Sequence, residues 1–300
     1  MYVGFELNRY ERLTEPYQFE IEEFRQQAKG RYDGLSEYLI GVFEKKDVID
    51  AQKIAEHIFP DQEVDVFLSH SHGDEGKAIE LAVSLQAKGL KVFVDSCVWR
   101  HFHELLDDLN QNYAEPVVDG KRKIYSYRKA TDMAAGVHMM LNGALHKMID
   151  RSELFIFLDT EQSIPLEDYE NYDRTFSPWI YSELEFSSRV RCTIPKRRLT
   201  PSNESVSGFE HLIKSSAPAK EDALLAYKAF NRHLPKVTGN EFQNWYDQHS
   251  IPSENLTPAE IALDALYDTL ALEGRFEDLK ARVEEEDQAR REQQALPSAG

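Results

Sequence analysis

The chain has 300 residues, and with 53 Asp or Glu against 35 Lys or Arg its formal net charge is −18. A hydrophobic share of 41% and an aromatic share of 11% are enough for a packed core, which excludes wholesale disorder. The acidity argues against a protein that coats nucleic acids or docks on anionic membranes, because both tasks need concentrated Lys and Arg.

The cysteine content and the apolar runs indicate a cytoplasmic protein. Two cysteines, Cys97 and Cys192, exclude a disulfide framework and suit a reducing compartment. The N-terminal residues carry charges where a signal peptide needs an apolar stretch. The strongest apolar run, residues 154–158, is far shorter than the roughly 20 residues that span a bilayer. We therefore expect a soluble, cytoplasmic protein.

The first 60 residues are predicted to form a helical N-terminal extension. Apolar residues recur there at spacings of three and four, as in Phe19, Ile21 and Phe24. Pro60 ends the region, and the pattern changes after it.

A βαβ unit follows. Residues 64–68 form a β-rich run that stops at a polar cluster, residues 69–74. A helix is expected next, with Ser71 and Asp74 at the spacing of a helix-start capping box, and it stops at Gly89. Residues 90–95 are a second strand. Strand, helix and strand in this order predict a parallel sheet.

Later elements are predicted with uneven clarity. Helices are expected near residues 101–109 and over 137–149, 223–230 and 258–272, and another begins at Ser177-Pro178, where Ser is a good N-cap. Residues 154–158 are apolar throughout, as a strand buried on both faces should be, and 190–194 form a candidate fourth strand. Residues 160–177 are expected to form an acidic loop, and 276–300 a charged helix running into a disordered tail.

Three of these segments together resemble the Toll/interleukin-1 receptor (TIR) domain in its bacterial form. They are residues 65–71, residues 89–95, and the run Ser177-Pro178-Trp179 with Glu183 and Leu184 behind it. The resemblance covers residues 63–195 and implies a TIR domain over 61–275, with its remaining strand and helix in 196–275. It implies an α/β, flavodoxin-like fold, a central parallel sheet flanked by helices.

The resemblance also implies a site. In such sheets the ligand lies at the carboxyl ends of the strands. The family's catalytic residue is a glutamate four positions after a tryptophan, which matches Glu183 and Trp179, and residues at that spacing share a helix face. The candidate substrate-binding residues are Ser69, His70, Ser71, Asp95, Trp99 and Trp179.

Many bacterial TIR domains cleave NAD between nicotinamide and ribose, and one carboxylate suits that chemistry. The cationic nicotinamide leaves as a neutral molecule, so no general acid is required, and a carboxylate stabilises the oxocarbenium-like ribose. Water as the second nucleophile gives ADP-ribose, whereas a group of the same molecule gives a cyclic isomer. NAD is then the substrate, and no cofactor is expected.

Each candidate also has a structural interpretation. In the structural interpretation, Glu183 is an ordinary solvated glutamate of a helix, and Trp179 packs that helix against the sheet. Trp99 is then a buried residue or part of a contact between protomers. Residues 121–129 are basic and either attract the pyrophosphate or form a solvated loop. His70 and His72 have no third ligand at a suitable spacing, so no metal site is expected.

The leading hypothesis is thus a TIR NAD-consuming enzyme of bacterial anti-phage defence. No sensor or effector domain is recognisable, so a separate effector protein that senses the product is expected, as in Thoeris-type systems, together with self-association. One alternative is a non-enzymatic TIR adaptor that acts through homotypic contacts. Another is an enzyme like the nucleoside deoxyribosyltransferases, which cleave nucleosides with a carboxylate on a related fold.

Overall fold

The computed structural model describes residues 1–13, 18–28, 34–59, 63–115, 117–119, 122–169, 172–199, 224–248 and 255–295. The strands are β1 (Val3–Asn8), β2 (Leu39–Phe43), β3 (Lys46–Ile49), β4 (Val66–Ser69), β5 (Val92–Val94), β6 (Val117–Asp119), β7 (Arg122–Ile124), β8 (Leu154–Asp159), β9 (Leu166–Tyr169), β10 (Tyr172–Thr175), β11 (Tyr227–Lys228) and β12 (Lys236–Thr238). The helices are α1 (Gln18–Ala28), α2 (Ala51–Ile58), α3 (Glu75–Gln86), α4 (Trp99–Tyr113), α5 (Tyr127–Arg151), α6 (Pro178–Arg189), α7 (Gly239–Asp247), α8 (Pro258–Leu270) and α9 (Leu272–Ala295).

A five-stranded parallel sheet in the order β12-β1-β8-β4-β5 forms the centre of this α/β fold, and helices flank it. β8 lies in the middle, and all its residues before Asp159 are buried, which confirms the prediction of a strand covered on both faces. The predicted strands at β4 and β5 are also confirmed. Phe67 of β4 stacks on Phe155 of β8 with ring centroids 5.7 Å apart, so the sheet itself is part of the apolar core.

The prediction of a helical N-terminal extension is wrong. The chain begins with a strand, β1, which lies between β8 and β12 and is paired in parallel with both. Residues predicted as helix at 39–43 form an antiparallel hairpin of β2 and β3 instead. The strand signal around Phe5 was obscured by Glu6, a charged residue in the middle of an apolar run, whose partner lies on β12.

Three later predictions also need correction. Residues 190–194 contain no strand, and the sheet position beyond β8 is taken by β1. Among the described residues of 223–230, the regular element is the short strand β11 and not a helix. The loop at 160–177 contains β9 and β10, which join β11 in a three-stranded antiparallel sheet.

The helical predictions after residue 70 hold better. α3, α5, α6 and α8 are confirmed, and α4 is longer than expected. α8 begins with a capping box in which Thr257 accepts from the backbone of Glu260 and the Glu260 side chain accepts from Thr257. α9 continues to Ala295, and residues 296–300 lie outside the described part of the chain. No helix of the described residues is both long and apolar enough to cross a bilayer.

The strand order creates a crevice between β4 and β8. The chain after β4 leads to β5 on one side, whereas the chain after β8 leads to β12 on the other. The loops at the carboxyl ends of these two neighbours therefore diverge, and ligands of open parallel sheets bind at such a point.

Candidate functional site

Four of the predicted site residues form a buried polar cluster, which we call the Glu183 cluster. Ser69 ends β4, His70 follows it, Asp95 follows β5, and Glu183 lies in α6. Ser69 and Glu183 are 0% exposed, and His70 and Asp95 are each 4% exposed. Three segments that are distant in sequence thus bring titratable side chains together at the carboxyl ends of neighbouring parallel strands.

Two short contacts define the geometry of the cluster. The Ser69 hydroxyl donates a hydrogen bond to Glu183 Oε2 over 2.5 Å. His70 Nδ1 lies 3.0 Å from Asp95 Oδ1. Glu183 Oε1 is buried and accepts no hydrogen bond from an amide, amine or alcohol group of the described residues. The carboxyl group of Asp95 also contacts that of Glu183 through a hydrogen bond, so the two acids form a pair.

Burial and like charge favour the protonated form of Glu183. Burial raises the pKa of Glu183 well above its usual value, and the neighbouring carboxylate of Asp95 raises it further, while the bond from Ser69 opposes the rise. Burial disfavours the imidazolium of His70, but the charge and the hydrogen bond of Asp95, together with the backbone of Leu68, outweigh burial, so the pKa of His70 is raised. The cluster thus combines a histidine–aspartate contact with a buried carboxyl group whose pKa is raised.

The start of α6 fixes where Glu183 points. The Ser177 side chain accepts a hydrogen bond from the backbone N–H of Ile180, and Pro178 occupies the first turn, as predicted. One turn later Ser182 donates to Asn142 of α5, and Phe186 stacks on His146 of α5 with centroids 4.2 Å apart. These contacts lock the rotation of α6, so that Glu183 faces Ser69.

Ser71 belongs to a neighbouring network rather than to the Glu183 cluster itself. Its hydroxyl donates to Asp74 Oδ2 over 2.8 Å, and Thr160 donates to the same oxygen over 2.5 Å. The predicted capping bond from Ser71 to a backbone N–H is not formed. Asp74 instead ties the loop after β4 to the loop after β8 across the crevice.

The two tryptophans of the prediction differ in outcome. Trp179 is half-buried and stacks on His138 of α5 with centroids 5.6 Å apart, so it packs α6 against α5. Trp99 is the first residue of α4, and its side chain lies outside the described part of the structure. In the basic segment 121–129, Lys129 pairs with Glu115, and Lys121 lies outside the described residues.

Sequence reasoning missed a second acid pair, the buried Glu6 and the half-buried Asp159. Glu6 is 0% exposed, and Lys236 Nζ of β12 lies 3.1 Å from its Oε1. Asn231 donates to Glu6 Oε2 over 2.9 Å. Burial and the charge of Glu6 raise the pKa of Asp159 to about 7. The available signal was a glutamate in the middle of an apolar N-terminal run and an aspartate at the end of the central strand.

A cavity of about 570 Å³ opens at the carboxyl ends of β1 and β8, beside Lys236 at the start of β12. It is lined by Asn8, Arg9, Tyr10, Lys77, Asp159, Thr160, Glu161, Ile164, Glu167, Asp173 and Lys236. Thr160, which holds Asp74, forms part of its wall, so the cavity adjoins the crevice network. We call it the β1–β8 cavity.

No group of three or more His, Cys, Asp or Glu side chains within the described ranges is arranged to hold a metal ion. Comparisons of the chain with protein-family models, with curated proteins and with solved structures find no match.

Proposed function

We propose that this chain cleaves the bond between nicotinamide and ribose in NAD, with Glu183 as the catalytic carboxylate. The observation that carries the proposal is the buried contact of Glu183 with Ser69 at the carboxyl end of β4, beside Asp95. A strongly perturbed carboxyl at the ligand-binding edge of a parallel sheet is typical of a functional site.

In the proposed reaction, the bond between the ribose C1′ and the nicotinamide nitrogen breaks. The bonding electron pair stays on the ring, which leaves as a neutral molecule, and the ribose becomes oxocarbenium-like. Glu183 stabilises that cation or holds the ribose hydroxyls, and Ser69 keeps its carboxylate in place. Water adds to C1′ with loss of one proton to give ADP-ribose, or a hydroxyl or nitrogen of the same molecule adds to give a cyclic isomer.

The raised pKa of Glu183 fits this reaction. A neutral acid is stable in the closed, buried cluster, where an isolated carboxylate is costly. A cationic nicotinamide ring beside Glu183 favours the ionised form, so substrate binding itself prepares the carboxylate. Since Glu183 is fully buried, the cluster must open before NAD reaches it.

We also propose that the chain forms a flavodoxin-like TIR domain. The strands β5, β4 and β8 follow the 2-1-3 order that begins a flavodoxin-like sheet. β1 and β12 then occupy the fourth and fifth positions, so the N-terminal strand would complete the domain. We propose a cytoplasmic role in anti-phage defence, with self-association and a separate effector protein that senses the product.

A specific observation favours the non-enzymatic adaptor as a second candidate. The hairpin of β2 and β3 exposes Ile40, Val42 and Phe43, whose exposed fractions are 65%, 70% and 68%. Apolar side chains grouped in this way on a surface are typical of a protein–protein contact. An adaptor would use this surface and release no nicotinamide.

The deciding experiment incubates the purified protein with NAD and follows nicotinamide by chromatography, at low and high protein concentration. Mass spectrometry of the second product separates ADP-ribose from a cyclic isomer. We expect nicotinamide from the wild type and from Glu185→Gln, a control on the same helix, but not from Glu183→Gln. Release by Glu183→Gln at the wild-type rate would exclude Glu183, and no release from any variant would favour the adaptor.

A further inference from the structure

The β1–β8 cavity lies on the same face of the sheet as the Glu183 cluster. Lys236 is paired with Glu6, Glu6 with Phe157, and Phe157 with Ser69. These residues form one row across four adjacent strands, and side chains of such a row point to one face. Glu6 and Ser69 are two strands apart, or about 10 Å.

The next row of paired residues along the sheet contains two residues that line the cavity. Asn8 of β1 is paired with Asp159 of β8, so both side chains stand on the face that carries Glu6. The loop after β8 then adds Thr160, whose hydroxyl bonds to Asp74 beside the first cluster. The cavity and the Glu183 cluster are therefore neighbouring parts of one polar edge.

The charges of the cavity favour a hydroxyl-rich ligand over a simple anion. Lys236 is paired with the buried Glu6, and Lys77 lies 3.3 Å from the buried Asp74. Glu6 and Asp74 do not line the cavity. Four other carboxyl groups do, those of Asp159, Glu161, Glu167 and Asp173. Carboxylates accept hydrogen bonds from hydroxyl groups, as in the ribose sites of dinucleotide-binding folds, and the ammonium groups beside them donate to hydroxyl oxygens.

The remaining lining residues suit the other parts of a nucleotide. Tyr10 and Ile164 supply an aromatic ring and an apolar side chain against which a base can pack. Arg9 and Lys77 add positive charge for phosphate oxygens. The volume of about 570 Å³ is in the range of small-molecule sites.

We propose that the β1–β8 cavity binds the adenosine end of the dinucleotide, with Asp159 and Glu167 accepting hydrogen bonds from its ribose hydroxyls. This inference rests on the proposed function, because it assigns the far half of that substrate. Since Glu6 and Ser69 are only about 10 Å apart on one face of the sheet, a single extended ligand can reach both polar clusters. The N-terminal strand is then part of the substrate site.

A comparison of two substrates tests the assignment. Nicotinamide mononucleotide carries the scissile bond but lacks the adenosine half. We expect Asp159→Asn to raise the KM for NAD about tenfold, because one acceptor oxygen is replaced by an amide donor, and to leave kcat/KM for the mononucleotide unchanged. Glu167→Gln, at an exposed position on β9, keeps the test valid if Asp159→Asn folds poorly. Asp132→Asn, exposed on α5, is the matched control.

A binding measurement separates this inference from the cleavage reaction. Calorimetry with AMP should show binding to the wild type and to Asp132→Asn, and about tenfold weaker binding to Asp159→Asn and Glu167→Gln. If AMP binds in this way but no nicotinamide is released, NAD cleavage is wrong and the nucleoside site stands. If AMP does not bind the wild type, or binds both cavity variants equally well, the cavity assignment is overturned whatever the fate of NAD.

Discussion

Two acid pairs stand on the same face of the sheet, and the protein balances their charge differently. Beside Asp95 and Glu183 lies His70, with its Nδ1 3.0 Å from Asp95 Oδ1, and these side chains are closed to solvent. Beside Glu6 and Asp159 lies Lys236, which keeps its charge, and the neighbouring cavity is open to solvent. A ligand can therefore reach the first pair only after the cluster opens, whereas in the second pair Asp159, with a pKa of about 7, can change its charge at an open site.

The largest effect expected from this comparison is on catalysis. Glu183→Gln keeps the shape and the neutral state of the side chain but cannot become a carboxylate. Nicotinamide release should fall at least about 100-fold, since removal of one charge-stabilising group costs that much in other enzymes. Chromatography of the reaction checks the rate, and circular dichroism should show an unchanged fold. A fall of less than about tenfold would mean that Glu183 is a structural acid.

Removing the permanent cation should damage the second pair. Lys236→Met leaves Glu6 and Asp159 without their countercharge, and we expect a loss of about 2 kcal/mol at pH 8 in urea unfolding. The figure is below that of a fully buried pair, because the Lys236 side chain is 63% exposed. Lys147→Met, at an exposed position on α5, is the control and should be neutral. Equal stabilities of the two variants would show that Lys236 does not balance the acid pair.

The pH dependence of stability should reveal Asp159. Its pKa in the folded protein is about 7, above its ordinary value, so the folded state binds the extra proton. Stability from this group is fully present below its unfolded pKa of about 4 and is lost as pH rises through about 7. Asp159→Asn should therefore gain about 2 kcal/mol relative to wild type between pH 4 and pH 8, a value discounted for solvent exposure. A constant difference across that range would contradict the shift.

The smallest expected effect is at Ser69. Ser69→Ala removes the hydrogen bond to Glu183 Oε2 and should cost about 1 kcal/mol in urea unfolding. Ser84→Ala is a matched control, because Ser84 is equally buried but donates to the carbonyl of Glu80. Since the Ser69 bond lowers the pKa of Glu183, its loss should also move the pH profile of nicotinamide release to higher pH. An unchanged profile would mean that Ser69 does not act on Glu183.

The sequence predicted the elements whose signals are local. β4, β5 and β8 are apolar runs with clear ends, and the serine-proline start of α6 is a capping signal within three residues. The Glu183 cluster could be anticipated because each of its members lies in one of these elements or directly after it. Sequence reasoning did not find β1, because the ion-pair partner of its buried Glu6 is Lys236, 230 positions later, and no local pattern reveals that partner.

The same limit explains the missed cavity. Its walls come from the ends of β1, β8 and β12, which are brought together by strand order rather than by sequence spacing. A fourth strand at 190–194 was expected from local composition, but β1 pairs with β8 along its full length and leaves no place there. Strands that pair over such a distance in the chain produce no periodic sequence pattern from which the pairing could be predicted.

The position of β1 also has a consequence for biosynthesis. β1 is made before most of the chain, but its first neighbour in the sheet, β8, begins at Leu154, and its second, β12, at Lys236. At about 5–20 residues per second, ribosomes need roughly 10 s or more to deliver these partners. During that time β1, an apolar segment that contains one glutamate, has no strand to pair with. Its contacts have high contact order, so closure of the sheet is expected to be a late and slow step of folding.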